Sequence, residues 1–188
     1  MGAGKSTALA ALERLGVATL STDAVVHELY GDARVRDAVV RRWGDEVAPG
    51  GVVDRSRVAA HAFADERERK WLEEMLWPLV GGRVAEWLKQ VGEREPPVKA
   101  AVIEVPLLFE AGMEGAYDAT IAVVAREDVR RERAASRGHT LEEVREGRQF
   151  SQREKARRAT YVVRNDGSEE ELAAALSDVI GKVAKLGG

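Results

Sequence analysis

Apolar positions recur along this chain in two rhythms, one of 3.6 residues and one of unbroken short runs. Ala8, Leu9, Ala11, Leu12 and Leu15 follow helical spacing, and Gly16 stands as the stop. Val17 to Ser21 is short and partly β-branched and predicts a strand ending at Thr22-Asp23. Val25, Val26 and Leu29 then predict a return to helix through Tyr30. From Asp32 to about Gly92 the pattern stays helical, with Val35, Val39, Val40 and Trp43 in register and a loop at Pro49-Gly50-Gly51. Asp54 or Ser56 stands where a helix carrying Val58, Ala59, Ala62 and Phe63 needs a cap. A long stripe follows from Asp65 to Val91, through Trp71, Leu72, Met75, Leu76, Leu79, Val80, Val84, Trp87 and Leu88. A break or kink is expected there at Pro78 and Gly81-Gly82. Three of the four tryptophans fall in this stripe and read as core and groove wall.

After a polar connector at Glu93 to Pro97, Val98 to Val105 reads as a buried strand closed by Pro106. Ala119 to Val124 is a second apolar strand, and Tyr161 to Val163 a third, ending in the turn signal Arg164-Asn165-Asp166-Gly167. Ser168 with Glu171 forms the pattern of a capping box at the head of a last helix to about Lys185. Unbroken apolar strands separated by helices predict an α/β fold whose parallel sheet is covered on both faces.

The 188 residues fit one domain of ordinary size, or one domain with lid-like insertions. Hydrophobic residues make up 45% and charged ones 32%, enough for a core under a heavily charged surface. A balance of 29 basic against 32 acidic residues argues against a general nucleic-acid or anionic-membrane binder. With no cysteine there is no disulfide and no thiolate zinc site. No apolar run has membrane-spanning length and the N-terminus lacks signal-peptide features, so a cytoplasmic protein is expected, as a monomer or weak homo-oligomer.

The chemistry begins at the first residues. Gly2-Ala3-Gly4-Lys5-Ser6-Thr7 is the back half of a phosphate-binding loop, G-x-x-x-x-G-K-[ST], set directly before a helix. Gly2 and Gly4 let bare backbone amides approach phosphate oxygens, and the helix start adds unpaired N–H groups. Lys5 would place an ammonium on the β- and γ-phosphates of a bound nucleotide, and the Ser6 hydroxyl would ligate Mg²⁺. The segment Arg126 to Arg158 is crowded with charge. Most of its arginines read as solvated partners of interleaved glutamates. Arg133 and Arg137, four apart on one helical face, suit the planar, two-pronged grip on phosphate that a closing lid requires.

At Val105-Pro106-Leu107-Leu108-Phe109-Glu110 the chain resembles the dephospho-coenzyme A kinase family, and the likeness runs in order along its whole length. Gly2 to Thr7 matches the family loop, Gly16-Val17 opens the segment ending at Asp23, and Gly51-Val52-Val53-Asp54-Arg55 with Phe63 matches a further motif. Arg133, Arg137, Gln152, Lys155 and Asn165 fall at the family's lid and N-x-G positions. The resemblance implies a three-layer P-loop kinase fold with a core at about 1–31, 98–125 and 159–188. It also implies a helical acceptor-binding region at about 32–97 and a lid at about 126–158. It implies phosphorylation of the ribose 3′-hydroxyl of dephospho-CoA by ATP and Mg²⁺, with Asp23 as the base, Lys5 and the two lid arginines neutralising charge, and Asn165 on the nucleotide. Leu107, Leu108, Glu110 and Trp77 would lie at the acceptor. Two plainer readings stand beside these roles: Asp23 as a helix cap, and Leu107-Leu108-Glu110 as a strand-to-helix corner.

Four departures from the family pattern stand out. The first strand and first loop glycine are missing before Met1, so the natural start is expected upstream. A chain that truly began at Met1 would bind ATP weakly and be less stable, its sheet lacking a central member. The family's D-A-D is Ser21-Thr22-Asp23, its H-P is Trp77-Pro78, and its A-D is Ala159-Thr160. Two other readings fit the loop alone: a small kinase of the nucleoside monophosphate or shikimate type, and a non-catalytic nucleotide-binding protein.

Overall fold

The computed structural model describes residues 3–135 and 149–186. Its elements run α1 (Lys5–Arg14), β1 (Ala18–Ser21), α2 (Thr22–Leu29), α3 (Ala33–Trp43), α4 (Arg55–Ala64), α5 (Glu66–Gly92) and β2 (Ala101–Glu104). They continue with β3 (Ile121–Val124), α6 (Glu127–Ala135), α7 (Gln152–Arg158), β4 (Tyr161–Arg164) and α8 (Glu169–Val183). The chain divides into two compact units, residues 1–20 with 91–188, and residues 21–90.

In the first unit the strands form two pairs, β1 beside β2 and β3 beside β4, and β2 and β3 lie in separate sheets. β3 and β4 run parallel, with Ile121 opposite Tyr161 and Val124 opposite Arg164. Reciprocal bonds between Thr120 and Thr160, each main-chain N–H donating to the other's hydroxyl at 3.0 Å, pin the entrance of this pair. Thr160, one of the departures from the family pattern, is thus locally satisfied. The core joins Ala8, Ala11 and Leu12 of α1 to Val163 and to Leu172, Leu176, Val179 and Ile180 of α8. Local signals work here as read. The capping box of Ser168 and Glu171 heads α8. Gly16, at φ 77°, ends α1, with Gly16 N–H donating to Glu13 O and Val17 N–H to Leu12 O, the paired bonds of a Schellman stop.

The second unit is helical. Its core is Val39, Val47, Ala48, Val53 and Val58, with Trp43, Trp71, Leu72 and Met75 packed against it. Asp54 is the cap of α4, accepting from the N–H groups of Ser56 and Arg57. Of the break or kink expected in α5, the structure rules out the break: the helix continues for 27 residues through Pro78 and Gly81-Gly82. Proline there forfeits one main-chain donor and the glycines only entropy, a cost of a few kcal/mol, while Leu76 beside them is buried. Trp71 is part of the aromatic cluster, but Trp77 is 60% exposed and is not core.

Candidate active site

The phosphate loop enters α1 through Gly4, whose φ of 82° lies in the left-handed region open to glycine. Space demands the same residue: a Cβ on Gly4 would stand 2.0 Å from Nδ2 of Asn165. α1 has no side-chain cap and no acidic residue in its first turn. The opening amides of a helix have no intrahelical acceptor, and here no carboxylate of the helix's own first turn competes for them, which is the arrangement an anion needs. Lys5 opens the helix with its ammonium 3.8 Å from Oε1 of Glu104, at the end of β2. Ser6, in the same turn, is exposed. Gly2 and Arg137 lie outside the described residues.

Arg133, near the end of α6, donates from Nη1 to the main-chain carbonyl of Asn165 at 3.0 Å. Asn165 itself is 4% exposed. Its side-chain amide donates to the carbonyl of Ala3 at 2.9 Å, a bond between residues 162 apart in sequence. The loop and the arginine therefore meet on one buried residue. The charge-rich segment is also closed at its root. Gln152, heading α7, accepts from Ala125 N–H and donates to Ala125 C=O, both at 2.9 Å, as a second peptide group would.

The Pro106 to Gly112 turn is compact, with Ala111 N–H bonded to Leu107 O and Met113 N–H to Leu108 O, each at 3.0 Å. Phe109 is the residue it buries, while Leu107 and Leu108 are half-exposed. Glu110 accepts at Oε1 from Phe150 N–H at 2.7 Å and from Lys155 at 3.0 Å, and Lys155 also donates to Pro106 O. Its second oxygen is buried without a partner among the described residues. Glu110 thus ties this turn to α7.

In the helical unit, Asp23 sits in the first turn of α2, after a cap position held by Ser21. The cap reading of Asp23 is therefore not what the backbone uses. A carboxylate there is favoured by the positive end of the helix. Sequence reasoning missed Glu104 as a neighbour of Lys5. Its signal was an acidic residue closing an apolar strand, at the carboxyl end where α/β sheets gather their chemistry.

Comparison with known proteins is consistent along the chain. The dephospho-CoA kinase family profile matches residues 1–171. A dephospho-CoA kinase of Thermus thermophilus is 37% identical over 190 residues, covering 97% of this chain and 88% of that protein. One from a Synechococcus species is 32% identical over 207 residues, covering 98% and 90%. Among solved structures, a Thermus thermophilus protein superposes with a TM-score of 0.75 at 35% identity, covering 97% of this chain and 93% of that one. A dephospho-CoA kinase from Campylobacter jejuni shares the fold at a TM-score of 0.61 and 21% identity, covering 97% and 92%. With the profile spanning the phosphate loop, Val105 to Glu110 and Arg133, this chain belongs to the dephospho-CoA kinase family.

Proposed function

We propose that this protein transfers the γ-phosphoryl group of ATP to the ribose 3′-hydroxyl of dephospho-CoA, giving coenzyme A and ADP. The observation that carries this reading is the uncapped start of α1 behind Gly4, with Lys5 at its head and Arg133 anchored beside it through Asn165. Asp23 takes the proton of the 3′-hydroxyl as its oxygen attacks the γ-phosphorus. The bond from that phosphorus to the β–γ bridging oxygen breaks, and ADP leaves. Lys5, Arg133 and Arg137 offset the charge spread over the transferring group, and the amides from Gly2 to Thr7 cradle the polyphosphate.

No group of three or more histidine or acidic residues suited to a metal occurs among the described residues. Mg²⁺ fits this donor set as an ion carried mainly by phosphate oxygens and water, with the Ser6 hydroxyl as the protein ligand. When bound, it supplies further charge neutralisation on the phosphates. We assign the acceptor to Leu107, Leu108, Glu110 and Trp77, within a helical acceptor region at about 32–97, a core at about 1–31, 98–125 and 159–188, and a lid at about 126–158. No described helix is long and apolar enough to cross a membrane. The same reading has the protein act in the cytoplasm, as a monomer or weak homo-oligomer, on a small molecule rather than on nucleic acid. ADP release with ATP, Mg²⁺ and dephospho-CoA tests the reading, with AMP and shikimate as control acceptors. Turnover with dephospho-CoA alone is expected; turnover with either control instead, or with none, overturns it.

A further inference from the structure

We infer that the Asn165 side chain is a positioning residue for the phosphate loop, acting on the polyphosphate through main chain rather than on the nucleotide base. The inference rests on the nucleotide reading above and deepens it. Three bonds meet on Asn165: its N–H donates to Val124 O at 2.8 Å, its carbonyl accepts from Arg133, and its side-chain amide donates to Ala3 O. The first two use main chain and persist whatever side chain stands at 165. The third is the side chain's own, and it fixes the carbonyl immediately before Gly4.

That carbonyl sets the orientation of the Ala3–Gly4 peptide, and with it the direction in which the Gly4 N–H points. A side-chain amide pressed against Gly4 also fills the space a Cβ would take, so the left-handed turn is held from outside as well as permitted from within. The bond leaves little room for a second task. An amide Nδ2 engaged with a carbonyl at 2.9 Å has one of its two hydrogens committed, inside a residue almost wholly shielded from solvent. The carbonyl of the same residue indexes Arg133, so loop and cation share one reference point. An anion bound at the loop thereby meets a charge whose place is already set, which is how preorganisation lowers the cost of binding.

The test separates phosphate from base. Dissociation constants are measured for ATP and for inorganic tripolyphosphate, which has no base, on the full chain, on Asn165→Ala and on the near-isosteric Asn165→Asp. Losing a buried donor to a carbonyl is expected to weaken both ligands by the same factor, about tenfold. Asp is expected to weaken them further, because a carboxylate then faces the Ala3 carbonyl. Weakening of ATP with tripolyphosphate unchanged would assign the side chain to the base and sink the inference, and so would two unchanged constants. Should both variants fail to fold, side-chain NMR on the unaltered chain decides. The Asn165 amide protons are expected to exchange slowly with water and to shift when tripolyphosphate is added; exchange at the rate of an exposed asparagine, with no shift, overturns the proposal. Failure of the nucleotide reading looks different, since the unaltered chain would then bind neither ligand.

Discussion

In the unit of residues 1–20 and 91–188, a set of hydrogen bonds spanning 27 to 162 residues runs from a side chain to main chain. Asn165 reaches Ala3, Gln152 clasps Ala125, Lys155 reaches Pro106, and Glu110 receives Phe150 N–H. In the unit of residues 21–90, the corresponding bonds join side chains to each other: Arg42 and Trp43 to Glu68, and Arg55 to His27. The first kind dictates where backbone amides and carbonyls lie, and backbone amides are what a phosphate loop offers its ligand. The second kind decorates a hydrophobic cluster of tryptophan, valine and alanine that already holds the helices. One unit is fixed to present main chain; the other is fixed to present helix faces.

Substitutions probe that contrast, beginning with the largest expected effect. As the proposed base, Asp23 would bring chemistry to the unit that otherwise contributes faces, and Asp23→Ala should lower kcat by about 10²- to 10⁴-fold, the worth of a general base. ATP affinity should hold nearly constant; strongly weakened ATP binding would place Asp23 on the nucleotide instead. Next comes Gln152→Ala, which strips partners from both the N–H and the C=O of Ala125, a residue 8% exposed. A loss of about 1–3 kcal/mol in unfolding free energy is expected by thermal or denaturant melting. A loss near zero would mean that main chain in this unit does not depend on its side-chain clasps.

A smaller and pH-dependent effect is expected at Glu68. Hydrogen bonds from Arg42 and from the Trp43 indole hold its carboxyl down, from 4.5 to about 2. A carboxyl depressed in the folded state stabilises the fold above its ordinary value, and that contribution is lost as pH falls from 4.5 toward about 2. Glu68→Gln should therefore lower stability slightly at neutral pH and flatten the acid limb of the stability curve in that window. An unchanged acid limb would remove Glu68 from any stabilising role. The smallest structural effect belongs to Trp77→Ala, within about 0.5 kcal/mol for an exposed side chain. A raised KM for dephospho-CoA at that cost would support an acceptor role; an unchanged KM would leave Trp77 outside the acceptor site.

Much of the fold was legible because its signals are local. Ser168 and Glu171 are three residues apart, Asp54 caps the amides two and three residues on, and Gly16 ends α1 beside the carbonyls it helps to satisfy. In each case the residue and the group it serves lie within one helical turn, so spacing alone carries the information. Pro78 shows the limit. Its local meaning is to interrupt a helix, yet α5 passes through it, because the bonds of the neighbouring residues and the burial of Leu76 outweigh one missing donor.

The candidate site divides in the same way. Met1 to Thr7, Asp23, Val105 to Glu110 and Arg133 could be marked on the sequence because each belongs to a short motif. The family, the α/β class and the loop-then-helix start were determined by sequence alone. Only the tertiary structure decided what these residues lean on: Lys5 beside Glu104, Glu110 on Lys155, and the loop on Asn165. The reason is distance along the chain. A bond between Ala3 and Asn165 leaves no periodicity to read, since nothing in either neighbourhood encodes a partner 162 residues away. The loop's chemistry is written in its first residues; its position is held from the far end of the chain.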